Sequence, residues 1–162
     1  MPEQFVKDIR RVVVRAAEEE AKGLGSATVE AEHLLLALAA DEDAPAGRLL
    51  ADGGLDHGAL LAALERETER SLAAVGVTLT DYAPPRPTPP RRKPSFAASS
   101  KSALHRTVQV AVSRKDRRVT APHLLVGILR ADIGTVPRAL EAVEVDRAQL
   151  LTRAERLLDH PA

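Results

Sequence analysis

The chain has no cysteine, so it has no disulfide framework, no thiol nucleophile and no cysteine-based zinc site. Aromatic residues make up only 2% of the 162 positions, so any packed interior has to be aliphatic. A surplus of either charge is missing too. The 23 lysines and arginines balance 23 aspartates and glutamates, which argues against a dedicated nucleic-acid binder with a basic surplus. The longest apolar run, Leu34 to Ala40, is far too short to span a bilayer. The opening Met-Pro-Glu-Gln carries no signal-peptide pattern, and the expectation is a soluble, cytoplasmic protein. No Gly-x-x-x-x-Gly-Lys-Ser/Thr loop is present to cradle the phosphates of ATP.

What is present is one pattern written twice. His33-Leu34-Leu35 returns as His123-Leu124-Leu125, and Arg48, Leu50, Asp56, Leu60 and Leu61 return as Arg138, Leu140, Asp146, Leu150 and Leu151. All these pairs are 90 positions apart, whereas Phe5 and Phe96 are 91 apart, so one residue is gained or lost before the histidines. A constant offset over such a span implies two copies of one unit, each burying its apolar face against the other. Alanine, leucine and arginine are the commonest residues, and with glutamate they favour helix. A chain of this length suits one domain, or two half-domains that share a core.

The periodicity predicts four helices per copy. Phe5, Ile9, Val12, Val13 and Ala16 form one stripe of an amphipathic helix that Gly23 and Gly25 end. A second helix starts near Glu30 and carries His33, Leu34, Leu35 and Leu38. After a turn at Asp41, Asp43 and Pro45, a short third helix holds Leu49 and Leu50 and stops at Gly53-Gly54. Asp56 is placed to cap a fourth, with Leu60, Leu61, Leu64 and Leu72 on one face. In the second copy, Leu104, Val108, Ala111 and Val112 form the first stripe, with Val110, like Val14, on the opposite side. Thr120 can cap the next helix, with Pro122 tolerated in its first turn, and Asp146 caps the last. Between the copies, Ala83 to Pro94 holds six of the chain's 11 prolines, which prefer an extended conformation and make this the linker. The expected organisation is a first repeat over 1–76, a basic, Pro-rich linker over 77–95 and a second repeat over 96–162. The two repeats would form one compact, all-α, eight-helix, pseudo-twofold bundle.

The start of the second helix, Val29-Glu30-Ala31-Glu32-His33-Leu34-Leu35-Leu36-Ala37-Leu38, and its copy Val119-Thr120-Ala121-Pro122-His123-Leu124-Leu125-Val126-Gly127-Ile128-Leu129, resemble the Clp repeat domain. So do Gln4-Phe5 through Arg10-Arg11-Val12-Val13-Val14, and Phe96 in the second copy. This is the amino-terminal domain of Clp-type AAA+ unfoldases, of the ClpC group in particular. Because the sequence given stops just after the second repeat, it is similar to the recognition domain without its motor. The resemblance implies a non-catalytic module that binds protein substrates, adaptors or cyclic peptide antibiotics, and that modulates or titrates a ClpC-type unfoldase. No cofactor, nucleic acid or membrane is expected, and a monomer is.

The resemblance also implies sites. The family motif Gly-Thr-Glu-His uses its glutamate to hold the guanidinium of phosphoarginine, and Glu32 stands at that position. A carboxylate can accept two parallel N–H bonds from a guanidinium, while helix-N-terminal amides attract phosphate. The plainer alternative is that Glu30 and Glu32 only complement the positive end of the helix dipole. Two departures mark the motif here: Ala31 replaces the threonine, and Ala121-Pro122 replaces Thr-Glu in the second copy, which removes the second carboxylate. A hydrophobic peptide surface is expected near Phe5 and Phe96, with Pro2, Val13 and Lys101 at neighbouring positions. The alternative for the phenylalanines is core packing.

His33 and His123 have no second ligand at i+4, and a packed, hydrogen-bonded role is expected for both. The basic runs Arg91-Arg92-Lys93 and Arg114-Lys115-Asp116-Arg117-Arg118 could touch phosphate, but most such runs are solvated turns. No nucleophile elbow or paired-carboxylate arrangement is identifiable, so an enzyme is not expected. A helical DNA-binding regulator is the alternative, because short helices joined by tight turns mimic helix-turn-helix; a small enzyme on a helical scaffold is a weaker third.

Overall fold

The computed structural model describes residues 9, 13–78, 80 and 86–160. Among the described residues there are eight helices: α1 (Arg15–Gly23), α2 (Ala31–Ala40), α3 (Pro45–Asp52), α4 (His57–Ala74), α5 (Ala98–Arg114), α6 (Ala121–Leu129), α7 (Thr135–Ala142) and α8 (Arg147–Asp159). Two short strands, β1 (Thr28–Val29) and β2 (Ser95–Phe96), pair in parallel with Val29 opposite Phe96. The fold is all-α, as the repeated pattern predicts. Local signals set most helix ends. Asp56 accepts from the Ala59 amide at 2.8 Å and Asp146 from the Gln149 amide at 3.1 Å, each satisfying an amide that the first turn leaves without a helical partner. Pro45 opens α3 where its missing N–H costs nothing.

The helices of the two halves meet in reciprocal pairs. α3 packs on α8 as α7 packs on α4, and α3 packs on α6 as α7 packs on α2. α2 packs directly on α6, its own counterpart. A pseudo-twofold axis therefore passes between α2 and α6, and the interface between the halves has the self-complementary character of a symmetric dimer. Both central helices are almost wholly buried. Leu34, Leu36, Leu124, Leu125, Ile128 and Leu129 lie in one core cluster fed by both halves, together with Leu50, Leu60 and Leu140. Burying each such side chain contributes about 1.5–3 kcal/mol, so most of the hydrophobic stabilisation is shared between the copies.

The first helix of the second copy departs from expectation. Its buried face is Ser100, Ala103, Thr107, Val110 and Ala111, while Val108 and Val112 are 44% and 64% exposed. Val110, expected to face outward, is only 2% exposed. Val14 is 9% exposed and packs in a second cluster with Ile9, Ala111 and Val119. The cause is that two hydroxyl residues serve as core residues. Ser100 Oγ donates to Val29 O at 2.6 Å, and Thr107 Oγ1 donates to Ala103 O at 2.8 Å, so neither carries an unmet polar group inward. On α4, similarly, Leu60 and Ala63 are buried together with the charged Glu67, while Leu61 and Leu64 are half-buried.

The stretch before β2 runs without helix over 86–94. Its backbone passes so close to Gly25, which has φ +69°, that a Cβ there would lie 3.0 Å from Thr88 O. Pro94 is buried, and Lys93 Nζ pairs with Glu18 Oε1 at 3.0 Å.

Candidate functional site

Glu32 occupies the first turn of α2, half-buried. Burial pushes its carboxyl above the ordinary value of 4.5; its own amide hydrogen bond opposes this, Glu30 and Glu67 add to it, and Arg138 pulls it down. Three glutamates thus meet one arginine, and that arginine is already engaged, because Arg138 Nε donates to Glu67 Oε1 at 2.9 Å. Ser71 Oγ donates to the same oxygen at 2.7 Å. Glu30 accepts from Thr28 Oγ1 at 3.1 Å and from Ser99 Oγ, while Ser99 Oγ accepts from the Ala31 amide at 2.9 Å. The charge of Glu32 is therefore poorly compensated, and an arriving guanidinium would be favoured there.

The histidines that follow are helix caps. His33 Nδ1 accepts from the Glu30 amide at 2.9 Å, and His123 Nδ1 accepts from the Thr120 amide at 3.0 Å, so a ring nitrogen takes the part that Glu or Gln plays in a capping box. With Nδ1 accepting, His123 Nε2–H is the donor to Asp116 Oδ2 at 2.9 Å. The structural role expected for these residues holds, although the motif is hidden because histidine is not the usual residue at that position. Among the described residues, no group of three or more His, Asp or Glu is arranged to hold a metal ion.

The residues expected at the hydrophobic surface are dispersed by burial. Phe96 in β2 is half-buried and packs against both core clusters. Lys101 is exposed on α5. Val13 is 7% exposed and lines a cavity of about 340 Å³ with Ala16, Leu38 and Ala121. Pro2 and Phe5 lie outside the described residues.

One feature that the sequence reading missed is a groove of about 1010 Å³ at the start of α6, bounded by α3, α8 and the α5–α6 connection. Arg48, Arg117, Arg118, Arg153 and Arg156 line it, against Asp52 and Asp116. It is the pseudo-twofold counterpart of the Glu32 site, since Glu32 corresponds to Pro122, Glu67 to Leu157 and Arg138 to Arg48. Of the basic run Arg114 to Arg118, Arg114 pairs with Asp116 and Asp159, Lys115 takes the left-handed conformation that ends α5, and Arg117 and Arg118 face the groove.

Comparison with known proteins agrees with this architecture. The family described as the Clp repeat (R) N-terminal domain matches residues 8–87 and 95–162. The chain is 28% identical over 152 residues to the chloroplastic chaperone protein ClpD2 of Oryza sativa subsp. japonica, covering 94% of this chain and 15% of that protein. It is 26% identical over 162 residues to the ClpA homologue, an ATP-dependent Clp protease ATP-binding subunit, of Guillardia theta, covering all of this chain and 18% of that protein. The chain thus spans less than a fifth of the length of these relatives. Among solved structures, the N-terminal domain of ClpD from Arabidopsis thaliana superposes with a TM-score of 0.66 at 21% identity, covering 97% of this chain and 96% of that one. The Hsp104 N-terminal domain from Candida albicans gives 0.62 at 18% identity, covering 90% and 86%. At these identities the likeness is one of fold.

Proposed function

Since the chain belongs to the Clp repeat N-terminal domain family, we propose that it works as a non-catalytic protein- and peptide-binding module of a Clp protease system. It would recognise substrates, adaptors or cyclic peptides and modulate or titrate a ClpC-type unfoldase. Within it, Glu32 holds the guanidinium of a phosphorylated arginine, and the half-exposed Phe96 with Lys101 belongs to the surface that meets hydrophobic peptides. The observation that carries the reading is the state of Glu32. It is half-buried, its carboxyl is raised by burial and by two neighbouring glutamates, and the one adjacent arginine is committed elsewhere. Such a carboxylate is destabilised by its own charge until a cation arrives, and a guanidinium offers two parallel donors. The counterpart position holds Pro122, which has no carboxylate, so a single site of this kind is expected.

Titration of phosphoarginine into the wild type and Glu32→Gln tests this. Loss of a hydrogen bond between charged groups costs about 1.5–3 kcal/mol, so the variant should bind about tenfold more weakly or worse. Affinity should also fall as pH drops through the raised pKa of Glu32, because the protonated carboxyl no longer attracts the ligand. Two equivalent sites, or indifference to the Glu32 change, would refute the assignment.

A further inference from the structure

The two sites related by the pseudo-twofold have opposite charge, and we propose that the second, the arginine-lined groove, binds an acidic peptide segment of a partner protein. Around Glu32, three glutamates face one arginine, and Arg138 is neutralised by Glu67. In the counterpart groove, the residue equivalent to Arg138 is Arg48, and the residue equivalent to Glu67 is Leu157. The arginine is kept and its internal partner is gone. Arg48, Arg117, Arg153 and Arg156 form no ion pair among the described residues. Of the two aspartates, Asp116 is already held by His123 Nε2 at 2.9 Å and Arg114 Nε at 3.0 Å.

The available cations reach the groove from three sides: Arg48 from α3, Arg117 from the α5–α6 connection, and Arg153 and Arg156 from one face of α8. They form a track rather than a point, which suits several carboxylates spaced along an extended chain. Between them lie Leu49, Leu157 and Leu158, an apolar floor for the intervening side chains. A nucleic acid is a poorer fit. No Phe, Tyr or Trp lines the groove to stack a base, and the chain as a whole carries no net positive charge. Arginine forks recognise carboxylates in pairs of parallel hydrogen bonds, so the specificity falls on Asp- or Glu-rich sequences.

The test is fluorescence anisotropy of the full chain with a labelled peptide, Glu-Leu-Asp-Glu-Leu-Glu, and its amide counterpart, Gln-Leu-Asn-Gln-Leu-Gln. The acidic peptide should bind at low salt and the amide peptide should not. Binding should weaken as the screening length shrinks from about 30 Å at 0.01 M to about 8 Å at physiological ionic strength. The double variant Arg153→Glu, Arg156→Glu should lose at least about tenfold in affinity, with an unchanged circular dichroism melt because neither residue forms an ion pair among the described residues. The double variant Arg66→Glu, Arg70→Glu, an equal charge change on α4 outside the groove, should bind like wild type. Absence of binding, equal binding of the amide peptide, retention by the double variant, or stronger competition by an oligothymidylate than by unlabelled peptide would each overturn the proposal.

Discussion

Arg138 Nε lies 2.9 Å from Glu67 Oε1, and this ion pair ties α7 of the second half to α4 of the first. The partners are unequal: the Glu67 side chain is 9% exposed and that of Arg138 56%. Burial alone would raise the Glu67 carboxyl, but hydrogen bonds from Arg138 and Ser71 more than reverse it and hold it below its ordinary 4.5. The asymmetry sets the order of two mutations. Arg138→Ala leaves a buried carboxylate supported by Ser71 alone and should cost about 2–3 kcal/mol. Glu67→Gln, which keeps a buried acceptor and leaves only a half-exposed guanidinium, should cost about 1 kcal/mol. Because the folded pKa is depressed, the ionised Glu67 stabilises the fold above pH 4.5, and this is lost as pH falls through the folded value. Urea unfolding of both variants should show these differences at neutral pH, and the gap between wild type and Glu67→Gln should close in acid.

The histidine caps give a second, separate pH effect. His33 Nδ1 accepts the Glu30 amide at 2.9 Å and can do so only unprotonated. Burial lowers its pKa below the ordinary 6.5, with Glu30 and Glu20 opposing. The unfolded chain therefore binds more protons just below pH 6.5, and stability should fall as pH drops from there through the folded value. His33→Ala should cost about 1 kcal/mol at neutral pH, as cap removal does. His33→Gln, which restores the usual capping-box residue, should keep most of that stability and abolish the pH dependence in this window. Thermal melts across this window compare the three proteins.

Much of this fold was legible because its signals are local and doubled. The caps at Asp56 and Asp146, the Gly53-Gly54 stop and the apolar runs of α2 and α6 each read correctly from their own neighbourhoods. The face of α5 did not, because Ser100 and Thr107 count as polar in any periodicity but hide their hydroxyls on backbone carbonyls. Of the candidate sites, Glu32 was visible through the resemblance of its motif. The groove was not, since Arg48, Arg117, Arg153 and Arg156 come from three parts of the chain and only the pseudo-twofold brings them together. The replacement of Glu67 by Leu157 at the matching position was available in the repeat alignment, but its meaning depends on the ion pair that Glu67 makes.

Close helix approach makes two glycines irreplaceable and leaves a third free. A Cβ on Gly127 of α6 would sit 2.3 Å from Thr107 Oγ1 and 2.8 Å from Ala103 O on α5, and one on Gly47 would sit 1.9 Å from Asp41 O. Each clash involves backbone, so whole elements have to move, and Gly127→Ala and Gly47→Ala should each cost about 3 kcal/mol or more. Thr107→Ala should rescue Gly127→Ala only partly, since the carbonyl of Ala103 remains. At Gly58, in the first turn of α4, the nearest atom to an added Cβ is Asp56 Oδ1 at 3.6 Å, an ordinary contact. Gly58→Ala should stabilise by about 0.5–1 kcal/mol through helix propensity. Chemical denaturation of the three variants, with opposite signs expected, checks the packing directly.

The two repeats should not fold apart. α2 and α6 bury nearly every side chain, and Leu34, Leu36 and Leu50 share one cluster with Leu124, Leu125 and Ile128. Removing the second half would uncover the faces of α2, α3 and α4 that pack on α6, α7 and α8. Each large apolar side chain returned to water costs about 1.5–3 kcal/mol, and a whole domain of this size is stable by only about 5–15 kcal/mol, so exposing a handful exhausts the margin. Residues 1–80 expressed alone should therefore show a broad, weakly cooperative melt. Adding residues 86–162 in trans should restore a sharp transition, because the interface is continuous and self-complementary. A cooperative melt of residues 1–80 alone, at the midpoint of the full chain, would show instead that each copy carries a sufficient core of its own.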